Sequence, residues 1–401
     1  MYFQNLCDMI GRMKILSSLL KCIGWIFAFL LGTLAVLALT LYLLMWMFCN
    51  GPSKSARDTF VATMLETGNM KFVISWYLDE DEILAITGNT AAGGSTASET
   101  DTSLIMIGAD PSAASSVSGE DSISTGDGDG TSGSPGSADA SENFLLPEET
   151  VSLVPITGRT FAAQLLIVRD PSRVKIATCY PWSSMEREKN GYTVGEYCTN
   201  FDALAATNAG EFETPSGINW GGRPIGIVVS GGEVLFNESR AGDVMVGFNE
   251  DHVLVIADVG GMTQEQFSSY VSENRITDAA SFKDISDWNN NHFTKLIMNG
   301  VAVDLKGKGG GANPRTAIGQ CADGTVLILV TDGRGTAGHL GATGQDLINI
   351  MQQYGAVNAA NLDGGSSSSL YYDGEYRITS SFLPQSDASR RLPTAFIVTK
   401  E

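Results

Sequence analysis

The sequence predicts an α+β fold: a mostly antiparallel, hairpin-rich sheet with a few inserted helices, preceded by one transmembrane helix. Three observations carry this. From residue 144 onward, short apolar runs alternate with glycine-bearing turns, the pattern of antiparallel strands joined by tight connections. Asp323-Gly324 and Asp373-Gly374 each separate two such runs, and Asp-Gly suits a two-residue hairpin turn. Residues 22–49 contain no charged side chain and exceed the roughly 20 apolar residues that span a bilayer.

Residues 1–21 form a short N-terminal segment with Arg12, Lys14 and Lys21, and Lys54 and Arg57 follow the apolar run. The basic bias points the N-terminus inward. A cleaved signal peptide would have a shorter apolar core, so the sequence predicts an uncleaved single-pass anchor with an extracellular C-terminal bulk. Residues 50–86 suit short amphipathic helices at the membrane surface. Residues 87–143 are rich in Ser, Gly, Ala, Thr and acids, with no Lys or Arg. That composition cannot bury enough apolar area to offset its ordering entropy and reads as an acidic tether. Its Gly126-Asp127-Gly128-Asp129-Gly130 run lacks the closing Glu and flanking helices of a calcium loop.

A globular domain is expected over 144–401. Strands are read at 165–168, 174–177, 317–320, 326–330 and 394–398, and hairpins at 225–236 and 244–256. Residues 195–206 read as a helix, 278–288 as helical or irregular, and 343–354 as a helix with Leu347, Ile348 and Met351 at helical spacing.

The chain has 401 residues and a formal charge of −20, which argues against nucleic acid as a partner. Cys7, Cys22, Cys49, Cys179, Cys198 and Cys321 form no Cys-x-x-Cys, and the only histidines are His252, His292 and His339. No zinc signature results, and neither a metal nor another cofactor is expected. Cys179 and Cys198 either pair or remain buried thiols. The loop 306–311 lacks the phosphate-loop pattern, and no Gly-x-Ser-x-Gly elbow occurs.

The chemistry concentrates in Asn361-Leu362-Asp363-Gly364-Gly365-Ser366-Ser367. There an Asp leaves an apolar run into two glycines, whose conformational freedom lets N–H groups converge on an anion. Arg315, in Asn313-Pro314-Arg315-Thr316, offers a permanently charged fork for phosphate at a strand mouth. Asp332 and Arg334 leave the far end of the same hairpin, and Asn208 precedes Ala209-Gly210.

The order Asn208-Ala209-Gly210, Asn313-Pro314-Arg315-Thr316-Ala317-Ile318-Gly319, Thr331-Asp332-Gly333-Arg334, Asn361-Leu362-Asp363-Gly364-Gly365 and Arg391-Leu392-Pro393-Thr394 resembles the phosphodiester glycosidases. Those are related to the enzyme that uncovers mannose 6-phosphate, and bacterial relatives are described as exopolysaccharide-biosynthesis proteins. The resemblance covers roughly residues 151–400 and departs at Ser366, where the family usually has a third glycine. It implies hydrolysis of a sugar-1-phosphodiester, with a glycan or sugar phosphodiester as partner beside the bilayer contacted by 22–49. Asp363, Arg315 and Asp332 are then the expected catalytic residues. Asn208, Thr316, Arg334, Asn361, Gly364, Gly365, Ser366 and Arg391 are expected to hold the substrate. Two rivals remain from the sequence: a glycan-binding surface module without catalysis, and a transferase acting on a wall polymer.

Overall fold

The computed structural model describes residues 2–66, 71–87, 97–107, 149–179, 190–214, 221–287, 290–379 and 388–400. Helix α1 (Tyr2–Asn50) contains a 30-residue stretch, Lys21–Asn50, that is long and apolar enough to cross a membrane. Its last turns carry a small core of their own. Cys49 is buried against Val61 and Leu65 of α2 (Lys54–Leu65) and against Ile74, Leu78 and Ile83, which come from α3 (Lys71–Ile74), α4 (Glu80–Thr87) and the link between them. Phe48 stacks on Phe60 at 5.0 Å. Ser53 caps α2 by accepting the Ala56 N–H, so the chain turns sharply out of α1 into α2.

The domain is built of three larger antiparallel sheets and one two-stranded ribbon among the described residues. The first has seven strands in the order Val151–Thr157, Ala162–Val168, Val326–Thr331, Thr316–Cys321, Ala356–Asn361, Lys295–Met298, Val301–Ala302. The second has Glu375–Ile378, Leu370–Tyr372, Ala203–Asn208, Thr394–Thr399 and Val174–Thr178; the third has Glu233–Glu238, Gly226–Ser230, Ile276–Lys283, Asp243–Asn249 and Leu254–Asp258.

The inner strands are apolar on both faces because both faces are covered. Leu166, Val168, Ile318, Ile328 and Val330 point into a core shared with the other two sheets. Their alternates Leu165, Ile167, Ala317, Leu327 and Leu329 pack with Leu347, Ile348 and Met351, as the two-residue period of a strand requires. Two helices, α5 (Val194–Asn200) and α6 (Gln264–Glu273), cover the second and third sheets, and α7 (Gly344–Gln353) covers the first. All three open with a Thr capping box, which satisfies first-turn N–H groups.

Three expectations are corrected. The helix read at 195–206 stops at Asn200; Asp202 turns the chain at φ 48°, and Ala203–Asn208 is a buried central strand. Its alanines match helix propensity, but pairing on both sides overrides it. Residues 278–283 are strand, within Ile276–Lys283. Part of the acidic tether, 97–107, is docked: the Thr100 N–H donates to Ile256 O at 3.1 Å, the Asp258 N–H donates to Ser98 O at 2.9 Å, and Ile105 is buried. The apolar 104–107 run inside that polar stretch explains why. Cys179 and Cys198 are separate buried thiols. The Gly-Asp run at 126–130 lies outside the described residues.

Candidate active site

Register brings the functional loops to one end of two sheets. Ala317 pairs with Asn361, so Arg315 and Asp363 leave their strands side by side. Asn208 ends its strand on the same side, and its Nδ2 donates to Asp363 O at 2.6 Å. The Asp363 N–H in turn donates to Ala209 O at 3.3 Å, and the Gly365 N–H to Pro314 O at 2.8 Å. The Asp363 turn is thus held from two directions.

A cavity of about 350 Å³ opens there, lined among others by Glu66, Glu211, Phe293, Asn313, Arg315, Arg334, Asn361, Asp363, Gly364, Gly365, Ser366 and Arg390. Burial pushes the Asp363 carboxyl up to about 6, against the opposing pull of Ser367 and Arg390. Asn361 donates to Phe293 O at 2.9 Å, while its Oδ1 is buried with no hydrogen-bond partner among the described residues. Gly365 has φ 64°, and a Cβ there would stand 2.8 Å from the Arg334 guanidinium; glycine is required twice over, by angle and by space. Ser366, the departure from three glycines, places its Oγ 3.4 Å from Arg390 Nη1.

Three guanidiniums line this cavity. Arg315 is buried and lies over the Phe293 ring at 4.9 Å, with Nε donating to Ala342 O at 3.1 Å and Nη2 to Gly311 O at 2.7 Å. Arg334 donates to Asn313 Oδ1 at 3.2 Å. Arg390 lies over Phe212 at 4.8 Å.

Several expected residues stand elsewhere. Asn208 and Thr316 are fully buried behind the cavity wall: Thr316 Oγ1 donates to Asn208 Oδ1 at 2.7 Å and lies 3.2 Å from Ser368 Oγ. They position Asp363 rather than face the cavity. Asp332 is outside the lining; its Oδ1 accepts the Ala162 N–H and its Oδ2 meets His339 Nδ1 at 2.7 Å. Arg391 turns away to Gly191 O and Glu196, both at 3.0 Å, and the neighbouring Arg390 takes the cavity position. The Arg390-Arg391 pair was visible in the sequence, but nothing there said which of the two faces inward.

Glu66 is the larger surprise. It follows α2, far outside the resembling region, yet its side chain is 3% exposed and paired with Arg315 Nη2. Its oxygens also accept from Asn313 Nδ2 at 2.7 Å, Asn291 Nδ2 at 3.0 Å and the Gly311 N–H at 3.2 Å. Burial pushes its carboxyl up, and Arg315 opposes that. Glu211, the other acid in the wall, is ion-paired with Lys283. No group of three or more His, Cys, Asp or Glu suited to a metal stands together among the described residues.

Residues 201–399 match the phosphodiester glycosidase family. Among solved structures, the catalytic domain of zebrafish N-acetylglucosamine-1-phosphodiester alpha-N-acetylglucosaminidase, auto-inhibited by its pro-peptide, is similar at 18% identity and TM-score 0.49, covering 66% of this chain and 87% of that one. A hypothetical protein from Synechocystis is similar at 16% identity and TM-score 0.39, covering 62% of this chain and 61% of that one. An uncharacterized SPbeta prophage-derived protein of Bacillus subtilis, YomE, is 42% identical over 64 residues. That match takes in 16% of this chain and only 10% of the relative's length.

Proposed function

We propose, from the match of residues 201–399 to the phosphodiester glycosidase family, that the protein hydrolyses a sugar-1-phosphodiester between the sugar carbon and the phosphate oxygen. The observation that carries the reading is a cavity lined by Arg315, Arg334 and Arg390 together with Asp363, whose carboxyl burial pushes up to about 6. Three cations suit an anionic phosphodiester and stabilise the departing phosphate. One ionised carboxylate suits a reaction whose leaving group needs no proton, unlike ordinary glycoside cleavage with its two acids.

Water attacks the sugar carbon, the bond from that carbon to the phosphate oxygen breaks, and its electron pair leaves with the phosphate. Asp363 accepts the proton from water. A carboxyl raised to about 6 is ionised at neutral pH yet more basic than a solvated one, which favours that role. The unpartnered Asn361 Oδ1 is set to accept a sugar hydroxyl. Asn208 and Thr316 hold the Asp363 turn in place, and Asp332 braces the Arg334 loop through His339.

The Lys21–Asn50 stretch serves in this reading as a membrane anchor, with the domain outside the cell and envelope glycans as its setting. The test is direct: full-length protein is given an N-acetylglucosamine-1-phosphodiester beside its Asp363→Ala variant. Release of free sugar by the parent alone is expected. If folded parent leaves a whole panel of sugar phosphodiesters intact, the reading fails and glycan binding without catalysis takes its place; a new glycan in place of free sugar indicates transfer.

A further inference from the structure

We propose that the second ester group of the substrate is a membrane lipid, and that the helices after α1 seat the cavity at the bilayer surface to meet it. The substrate class is then a sugar-1-phosphate joined to a lipid alcohol. The inference rests on the glycosidase reading and on α1 as a membrane anchor.

The Lys21–Asn50 stretch has 30 residues, about 45 Å at the rise of an α-helix, against a hydrocarbon core of about 30 Å. Burial along the helix shows which end stands clear of the acyl chains. From Lys21 to Leu44 every side chain is exposed, as lipid contact requires, and Met45 and Cys49 are the first to be covered. Their cover is the unit formed by α2, α3 and α4. Tyr77 meets Tyr42 at 5.3 Å, Phe60 stacks on Phe48 at 5.0 Å, and Cys49 joins the core of Val61, Leu65 and Ile74.

The outside of that unit is not the surface of a bundle made for water. Phe72 and Trp76 are 55% and 66% exposed and meet edge to face at 5.3 Å. Trp76 directly precedes Tyr77, so the pair stands near the level of Tyr42, where α1 leaves the acyl chains. Aromatic rings gather at that depth in membrane proteins, Trp above all because its body is apolar and its N–H polar. Continuity with the anchor names the lipid headgroup layer as the occupant of this face.

The seat is joined closely to the cavity. Thr63 of α2 accepts the Ala312 N–H at 3.0 Å, and a Cβ on Gly311 would stand 2.7 Å from Thr63 Cα and N. Helix α2 has 12 residues, about 18 Å of length, and Glu66 directly after it lines the cavity. A domain on a loose tether would sample soluble glycans; one seated this way works on what the bilayer presents. At about 350 Å³ the cavity is at the small end of ligand pockets, so it takes the sugar and phosphate and leaves the second ester group outside. Water adds its oxygen to the sugar carbon and gives its proton to Asp363, while the electron pair of the broken bond stays on the phosphate oxygen. The products are free sugar and a lipid phosphate monoester.

The test uses full-length protein in phosphatidylglycerol–phosphatidylethanolamine vesicles. Two probes carry the same N-acetylglucosamine-1-phosphate, one esterified to a polyprenol in the vesicles and one to methanol in solution. Confinement to one surface is expected to raise kcat/KM for the polyprenol ester at least about tenfold over the methyl ester. Phe72→Ser combined with Trp76→Ser is expected to lower the polyprenol rate about fivefold, with little change for the methyl ester. Brominated lipids are expected to quench more fluorescence in the parent than in Trp76→Phe. Equal cleavage of the two esters overturns the proposal and leaves the glycosidase reading standing. Equal slowing of both esters by the paired variant also overturns it, as does the absence of Trp76 quenching. If folded protein cleaves neither ester, across a panel of sugars, both the proposal and the glycosidase reading fall.

Discussion

The two ends of the cavity are opposites. At one end Arg315 and Glu66 are buried together, and both Glu66 oxygens are filled by four N–H donors. At the other, burial pushes the Asp363 carboxyl up against hydrogen bonds from Ser367 and the Gly364 N–H, and Asn361 Oδ1 has no partner among the described residues. A filled end stabilises the protein as it stands. An unfilled end costs stability and is kept for something that arrives later. In the proposed reading, the first end binds and the second reacts.

The largest expected break in this comparison is Asp363→Asn. Sugar release should fall by about a thousandfold, in line with loss of a general base. The same change should stabilise the fold above pH 6. Asp363 has a folded value of about 6 against an ordinary 3.8, so the folded state keeps its proton longer than the unfolded one. Its contribution to stability is full below the unfolded value and is lost as pH rises through about 6. Removing the charge recovers up to about 3 kcal/mol at neutral pH, less whatever cavity water screens. Denaturant melts of both chains at pH 5 and 8 check this: a variant equally destabilised at both would remove the unfilled end from the argument.

Arg315→Ala tests the filled end. Stranding Glu66 should cost about 3–5 kcal/mol, and Glu66→Ala in the same chain should restore a large part of it. Additive losses across that double-mutant cycle would mean that the pair does not interact as seen. Next in size is the pH profile. Log kcat/KM should decline with unit slope below about pH 6, as Asp363 protonates, and Asp332→Asn should leave that limb in place. The smallest effect is that of Asn361→Ala. It should cost only about 1 kcal/mol of stability, for the bond to Phe293 O, while raising KM for the sugar.

Much of this was legible in the sequence. Asp323-Gly324 announced its hairpin, Leu347, Ile348 and Met351 announced α7, and the loops carrying Asn208, Arg315 and Asp363 were recognisable by residue type and order. What was hidden depended on contacts between distant segments. Ala203–Asn208 reads as helix until strands pair with it on both sides. Asp332 reads as a cavity residue until His339, seven residues on, is seen to turn back onto it. Arg390 and Arg391 are chemically equivalent until the fold sends them apart. Glu66 lies 249 residues from Arg315, in a segment of membrane-proximal character, and no local pattern could have linked the two.

The docked piece of the acidic stretch has a practical consequence. Leu254–Asp258 is the outer strand of its sheet, and residues 98–100 occupy backbone groups that it would otherwise present to solvent. An uncovered outer strand is a template for pairing with another molecule. A soluble fragment starting at residue 144 would leave that strand bare and self-associate, whereas one starting at residue 97 would carry its own cover and stay monomeric.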